Sequence, residues 1–229
     1  MSPIDFHTLA PPKDIKLFRN LPSSEIEHIL NAAKARRFSR NTIITHQSEP
    51  AEQFFLLWGG RARYFFETPS DKKLLLRWLI PGQAFGISSM FTGSPGYLVS
   101  VEAVQDSVAL IWTEGTIRAL AKRFPLLLEN ALRICSDYLS WYVTAHAGLT
   151  SQTASERLAN VLVGLAEGVG RDFLPGIELD VTNEELANAA NISPYTASRA
   201  LSEWQERGII RRRRGKIVLR SPQSLFSRH

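Results

Sequence analysis

The sequence predicts an α+β chain: an N-terminal antiparallel barrel or jelly roll, one long helix, and a C-terminal winged helix-turn-helix. Three observations carry that prediction. Short β-type runs separated by turn residues fill the stretch from about Arg37 to Trp112. Helical periodicity then holds without a strong break from about 125 to 149. Residues 182–219 place a capped helix, a tight turn, a second capped helix and a basic hairpin in that order.

Composition narrows the function classes. The 229 residues are 44% hydrophobic and 21% charged, which excludes a mostly disordered chain. The size suits one large or two small domains. A single Cys, Cys135, excludes an intramolecular disulfide and a Cys-rich zinc site. The N-terminus, MSPIDFHTLAPPKDIK, has no basic stretch leading into an apolar one, so no export signal is expected. No apolar window is long enough to span a bilayer; the best, Leu126 to Leu149, is interrupted by Glu129, Arg133 and Asp137. The expected location is the cytoplasm.

Taken in order, residues 14–36 look helical, with Ser24 and Glu27 as a capping box and Ile26, Ile29 and Leu30 on one face. The β-type runs are Phe38–His46, Gln53–Leu57, Ala62–Glu67, Lys73–Leu79, Leu98–Ala103 and Ser107–Trp112. Their turns fall at Ser48-Glu49-Pro50, Gly59-Gly60, Thr68-Pro69-Ser70-Asp71, Pro81-Gly82 and Gly93-Ser94-Pro95-Gly96. Many short strands at this spacing predict the barrel.

A short helix from Thr113 to Lys122 gives way at Phe124-Pro125 to the long one. That helix carries two apolar stripes. Leu128, Leu132, Cys135, Leu139, Tyr142, His146 and Leu149 follow alternating spacings of four and three, a heptad-like seam. Leu127, Ala131, Ile134, Tyr138, Trp141 and Ala145 lie beside it. Two stripes need two partners, so one is expected on the barrel and the other on the same helix of a second copy. Gly148 to Ser151 reads as a hinge. Residues 152–167 read as an amphipathic helix with Leu158, Val161, Leu162 and Leu165 inward, and Ile177, Leu179 and Val181 as a short strand.

The C-terminal pattern is the most specific. Thr182 and Glu185 form a capping box on TNEELANAAN. Asn191-Ile192 makes the turn. Ser193 caps the second helix, with Pro194 at its first position, where a missing N–H costs nothing. Ala197, Leu201 and Trp204 are its buried face, which leaves Tyr195, Thr196, Ser198, Arg199 and Ser202 toward a partner. After Gly208 come Ile209–Arg211 and Lys216–Leu219, joined through Arg213-Arg214-Gly215.

A helix N-terminus entering a major groove presents its first turns to base edges. Ser193, Tyr195, Thr196, Ser198, Arg199 and Ser202 are therefore candidate DNA contacts: the short Thr196 and Ser198 allow close approach, and the free N–H groups from Ser193 to Thr196 suit a phosphate. The guanidinium of Arg199 can pair bidentately with guanine. Arg211, Arg213, Arg214 and Lys216 are the candidate phosphate contacts, setting affinity and salt dependence. From Arg207 to the C-terminus there are eight basic residues and no acidic one. Of the formal +5, the rest of the chain therefore holds −3 (5 minus 8).

The whole chain resembles the cyclic-AMP receptor protein/fumarate-nitrate regulator (CRP/FNR) family of bacterial transcription factors. The resemblance rests on ISPYTASRALSEWQERGII, where Ser193, Thr196 and Arg199 match the family's Ser-x-x-Thr-x-x-Arg. QFFLLWGGRA (residues 53–62), Pro81-Gly82 and Phe85-Gly86 match its β-roll more loosely. It implies a cyclic-nucleotide-binding-like β-roll sensor over 15–124, a dimerisation helix over 125–149 and a winged helix-turn-helix over 150–222. It implies a homodimer on double-stranded DNA, with RNA polymerase and a small-molecule effector as further partners.

The effector cassette departs from the family. Cyclic-nucleotide binders of this family carry a Glu after the cassette glycine and an Arg eleven residues after it; here these positions are Ile87 and Tyr97. An anion without a cation is strongly disfavoured in a buried site. No tight cyclic-AMP binding is therefore expected, and the effector stays unassigned. Phe85, Gly86, Ile87, Met90, Phe91, Tyr97 and Leu98 would line a pocket for another small ligand. No Cys precedes Cys135, which excludes the family's N-terminal iron–sulfur cluster. His7, His28, His46 and His146 are the candidate haem ligands, though a lone His is more often a surface or packed residue. Cys135 on the seam reads as a small hydrophobe, with an interchain disulfide as the alternative.

Two other functions fit these residues less well. A metal-dependent jelly-roll enzyme needs clustered His and carboxylate ligands, and the barrel holds only His46. A cyclic-nucleotide-binding interaction module with no DNA role leaves the basic wing unexplained. The chain is expected to be a DNA-binding regulator and not an enzyme.

Overall fold

The computed structural model describes residues 10–226, apart from 70–72, 95, 175 and 214. His7, Ser70, Asp71, Pro95, Arg214 and Arg228 thus lie outside the described residues. The chain divides into two compact units, residues 1–141 and 142–229.

The first unit opens with a 3-10 turn, Lys16–Phe18, and helix α1 (Ser23–Asn31). Eight strands follow: β1 (Lys34–Phe38), β2 (Ile43–Thr45), β3 (Gln53–Gly59), β4 (Ala62–Glu67), β5 (Lys73–Leu79), β6 (Ala84–Phe85), β7 (Ser100–Ala103) and β8 (Ser107–Thr113). They form two four-stranded antiparallel sheets, β1-β8-β3-β6 and β2-β7-β4-β5. Phe55, Leu57, Tyr64, Leu79, Phe85, Val101 and Ile111 fill one core cluster. Phe54, Leu56, Leu110 and Trp112 alternate with the first set and join Leu17, Ile29, Ile117 and Leu127 in a second. β3 is therefore buried on both faces, which is why it reads as an unbroken apolar run.

Helix α2 (Glu114–Arg123) is capped by Thr113, whose side chain accepts from the Thr116 amide. Helix α3 (Pro125–Ser151) crosses the boundary between the units. Its two stripes are each divided. Leu127, Ala131 and Ile134 are buried in the core, and the Tyr138 hydroxyl donates to the Ala84 carbonyl at 3.1 Å. Arg77 of β5 stacks its guanidinium 4.8 Å from the Tyr138 ring. Of the seam stripe, Leu132 (49% exposed), Leu139 (66%) and Leu149 (44%) face outward, whereas Leu128 and Cys135 pack against the same core; of the other stripe, Trp141 and Ala145 are exposed. His146 is exposed, and Leu128, Cys135 and Tyr142 are half-buried.

The second unit holds α4 (Ala154–Val169), β9 (Arg171–Phe173), β10 (Gly176–Asp180), α5 (Asn183–Ala189), α6 (Pro194–Glu206), β11 (Ile210–Arg213), β12 (Lys216–Leu219) and a closing 3-10 turn, Pro222–Phe226. Its antiparallel sheet has the order β11-β12-β10-β9. Helices α4, α5 and α6 pack pairwise.

Several expectations need correction. The 14–36 helix is a 3-10 turn and a separate nine-residue helix, and its last residues belong to β1. The Ser24–Glu27 capping box does not form, because the helix starts earlier, after Pro22, with no side-chain cap. Phe38–His46 is not one strand but the end of β1, a turn at Arg40-Asn41, and β2; Asn41 is left-handed at φ 65°. Gly148–Ser151 is not a hinge. The helix continues through it, with the Thr150 and Ser151 hydroxyls donating to the Ala147 carbonyl at 2.9 Å each. The break falls at Gln152, before a Thr153–Glu156 capping box.

Candidate nucleic-acid interface

The helix-turn-helix forms through local chemistry. Thr182 and Glu185 exchange the two bonds of a capping box: the Glu185 amide donates to Oγ1 and the Thr182 amide to the Glu185 carboxylate. The turn is closed by Asn191 at φ 50°, a left-handed conformation that Asn tolerates. Ser193 Oγ then accepts from the Thr196 amide at 3.0 Å, with Pro194 at the first helical position. Ala197, Leu201 and Trp204 are buried at 0, 0 and 2% exposure.

That burial fixes what the other face shows. Tyr195 is 78% exposed and Arg199 is exposed; Thr196, Ser198 and Ser202 are half-buried. Neither Tyr195 nor Arg199 has a hydrogen bond, ion pair or ring contact among the described residues. Ser202 is engaged: its hydroxyl accepts from the Arg212 guanidinium at 3.2 Å. The Arg212 amide donates to the Gln205 side chain, so this strand of the wing is tied to the recognition helix.

The wing residues divide as well. Arg211 is exposed. Arg213 is exposed too, with its guanidinium 5.4 Å from the Phe173 ring. Lys216 pairs with Glu178 at 2.6 Å across β10 and β12.

Arg157 of α4 was not among the sequence candidates. Its guanidinium donates to the carbonyls of Gln152, Ala190 and Asn191, the last two in the helix-turn-helix turn. Those partners lie 33 and 34 residues downstream, so no local pattern announces the clamp.

The cassette residues are placed differently. Phe85 is fully buried and stacks on Phe55, ring centroids 4.7 Å apart. Gly86 is left-handed at φ 71°, and a Cβ there would sit 2.7 Å from the Gln53 carbonyl oxygen. Ile87 and Met90, in a 3-10 turn (Ile87–Met90), are both buried in the second core cluster. Phe91 and Leu98 face outward at 38% and 73% exposure. These residues therefore do not share one lining.

The Tyr97 side chain meets the first residue of β3. Its hydroxyl donates to the Gln53 carbonyl at 3.0 Å and accepts from the Gln53 amide at 3.1 Å. Burial pushes the phenol above its ordinary value, Glu52 and Glu49 add to this, and the Gln53 backbone bond opposes it. Arg118 reaches the same segment, but its guanidinium is committed to the Ser89 and Phe91 carbonyls and to Glu114. The position thus holds a phenol with Glu52 and Glu49 near it, where the family's cyclic-nucleotide binders carry an Arg.

His28, His46 and His146 are all exposed. Burial raises the Cys135 thiol above its ordinary range. No helix among the described residues is long and apolar enough to cross a membrane.

Comparisons with known proteins agree with both units. Residues 35–124 match the cyclic nucleotide-binding domain family, and residues 156–227 the Crp-like helix-turn-helix domain. The chain is 26% identical over 209 residues to the cyclic AMP receptor protein of Thermus thermophilus, covering 91% of this chain and 94% of that one. It is 24% identical over 214 residues to the CRP-like cAMP-activated global transcriptional regulator of Mycobacterium tuberculosis, covering 93% and 95%. The solved structure of the c-di-GMP responsive global regulator of Xanthomonas campestris superposes with a TM-score of 0.75 at 20% identity, covering 87% of this chain and all of that one.

Proposed function

The chain belongs to the CRP/FNR family of transcriptional regulators, and from that membership we propose that it acts as a homodimer that reads an inverted-repeat operator without cyclic AMP. It carries out no catalytic step, and its place of work is the cytoplasm. The observation that carries the dimer is the division of α3. Leu127, Ala131 and Ile134 are spent on the β-roll core, while Leu132, Leu139 and Leu149 stand exposed at heptad spacing. Between Asp137 and Glu156 the sequence holds no Asp, Glu, Lys or Arg. A surface so poor in charge is suited to burial against its own copy.

Two copies of α6 would then enter successive major grooves, with half-sites about one helical turn apart. Arg199 would read guanine, and Arg211 and Arg213 would follow phosphates. Lys216 is a weaker candidate than its charge implies, because Glu178 already holds it. RNA polymerase is a further partner only if the protein activates. The competing reading, a nucleotide-binding module without a DNA role, needs a cassette cation at the Tyr97 position and leaves the wing arginines idle.

Light scattering on the purified chain tests the dimer. The wild type is expected at twice the chain mass and Leu139→Arg at the chain mass. A monomeric wild type at micromolar concentration contradicts the proposal.

A further inference from the structure

Resting on the DNA-binding reading above, we infer that Tyr195 reads thymine: its ring packs on the C5-methyl group of a thymine beside the guanine paired by Arg199. Tyr195 is at the second position of α6, and its ring is 78% exposed with no hydrogen bond or ring contact among the described residues. The other aromatic residue of that helix, Trp204, is 2% exposed. The Trp204 ring stabilises the fold, whereas the Tyr195 ring gains nothing from it. Apolar ring surface held in water is stabilised by covering it.

Helical spacing places Tyr195, Ser198, Arg199 and Ser202 on one face. The only carboxylates of α6 are Glu203 and Glu206, and Glu203 is within 3.8 Å of Arg207. The first two turns therefore offer no carboxylate to accept from a cytosine amino group. They offer hydroxyls, one guanidinium and one apolar ring. The major-groove feature that an apolar ring reads is the thymine methyl. Tyr195 and Arg199 are four residues apart, about 6 Å along the axis, so their two bases lie within about two base-pair steps.

The test starts from operators selected out of a random duplex pool by the purified full-length protein. Each thymine of the half-site is then replaced singly by deoxyuridine, which removes only the methyl group, and Kd is measured at fixed salt. The wild type is expected to lose about fourfold at one thymine, the equivalent of one buried methyl-sized group. Tyr195→Phe should keep that loss, and Tyr195→Ala should bind the thymine and uracil operators equally. Tyr195 carries no fold contact, so the variants are expected to unfold like the wild type.

The inference is overturned if no single methyl matters to the wild type, or if the methyl effect survives in Tyr195→Ala. A uniform weakening by Tyr195→Phe with no methyl effect would make the hydroxyl a phosphate contact and overturn it as well. A pool that enriches no sequence overturns the operator reading itself, and the role of Tyr195 with it.

Discussion

Tyr97 and Tyr195 belong to two regions that use the same side chain in opposite ways. In the cassette, Tyr97 turns its hydroxyl onto both backbone groups of Gln53, while Phe85, Ile87 and Met90 go into the core. On the recognition helix, Tyr195 and Arg199 make no such commitment. Tyr97 spends its polar group on the fold, whereas Tyr195 and Arg199 keep theirs free to meet a partner.

The comparison can be broken by mutating one face of α6 against the other. Trp204→Ala should destabilise the chain by about 3–5 kcal/mol in denaturant unfolding, because it empties a buried site. Arg199→Ala should stay within about 0.5 kcal/mol of wild type in the same measurement. It should instead cost about 1–3 kcal/mol of discrimination against a changed guanine in competition binding. Equal destabilisation by the two variants would mean that Arg199 is also a fold residue.

Tyr97→Phe sharpens the other half. Losing the hydroxyl that satisfies Gln53 should cost about 1 kcal/mol of stability, with no heat of cyclic-AMP binding in calorimetry before or after the change. Its raised phenol means that the folded state holds the proton more tightly than the unfolded one. The resulting stability is present below the ordinary value of 10.0 and is lost as pH rises past it. Tyr97→Phe should remove that part of the alkaline dependence. The smallest effect is expected from Arg211→Gln, which should lower the salt slope of DNA binding by about 0.9 per half-site while leaving sequence preference unchanged.

The C-terminal unit was legible because its signals are local. Thr182 with Glu185, Ser193 with Pro194, and the Ala197–Leu201–Trp204 face each lie within seven residues of sequence. The same kind of signal misled at Ser24 and Glu27, a four-residue match that falls inside the first turns of α1. Gly148 to Ser151 looked like a break, but two hydroxyls returning to the Ala147 carbonyl let the helix run on. β6 and β9, with two and three residues, are too short to show a period. Arg157 and the Lys216–Glu178 pair depend on contacts 33 to 38 residues apart, which no window reveals. For the cassette, substitution of its charged positions could be read, but the scattering of Phe85, Ile87, Phe91 and Leu98 between core and solvent could not.

Operator selection by the purified protein, run in parallel with and without added cyclic AMP, tests the central claim most directly. An enriched inverted repeat with half-sites about one helical turn apart, the same in both arms and at the same affinity, is the predicted result. Enrichment only when cyclic AMP is present, or no enriched repeat in either arm, would contradict it.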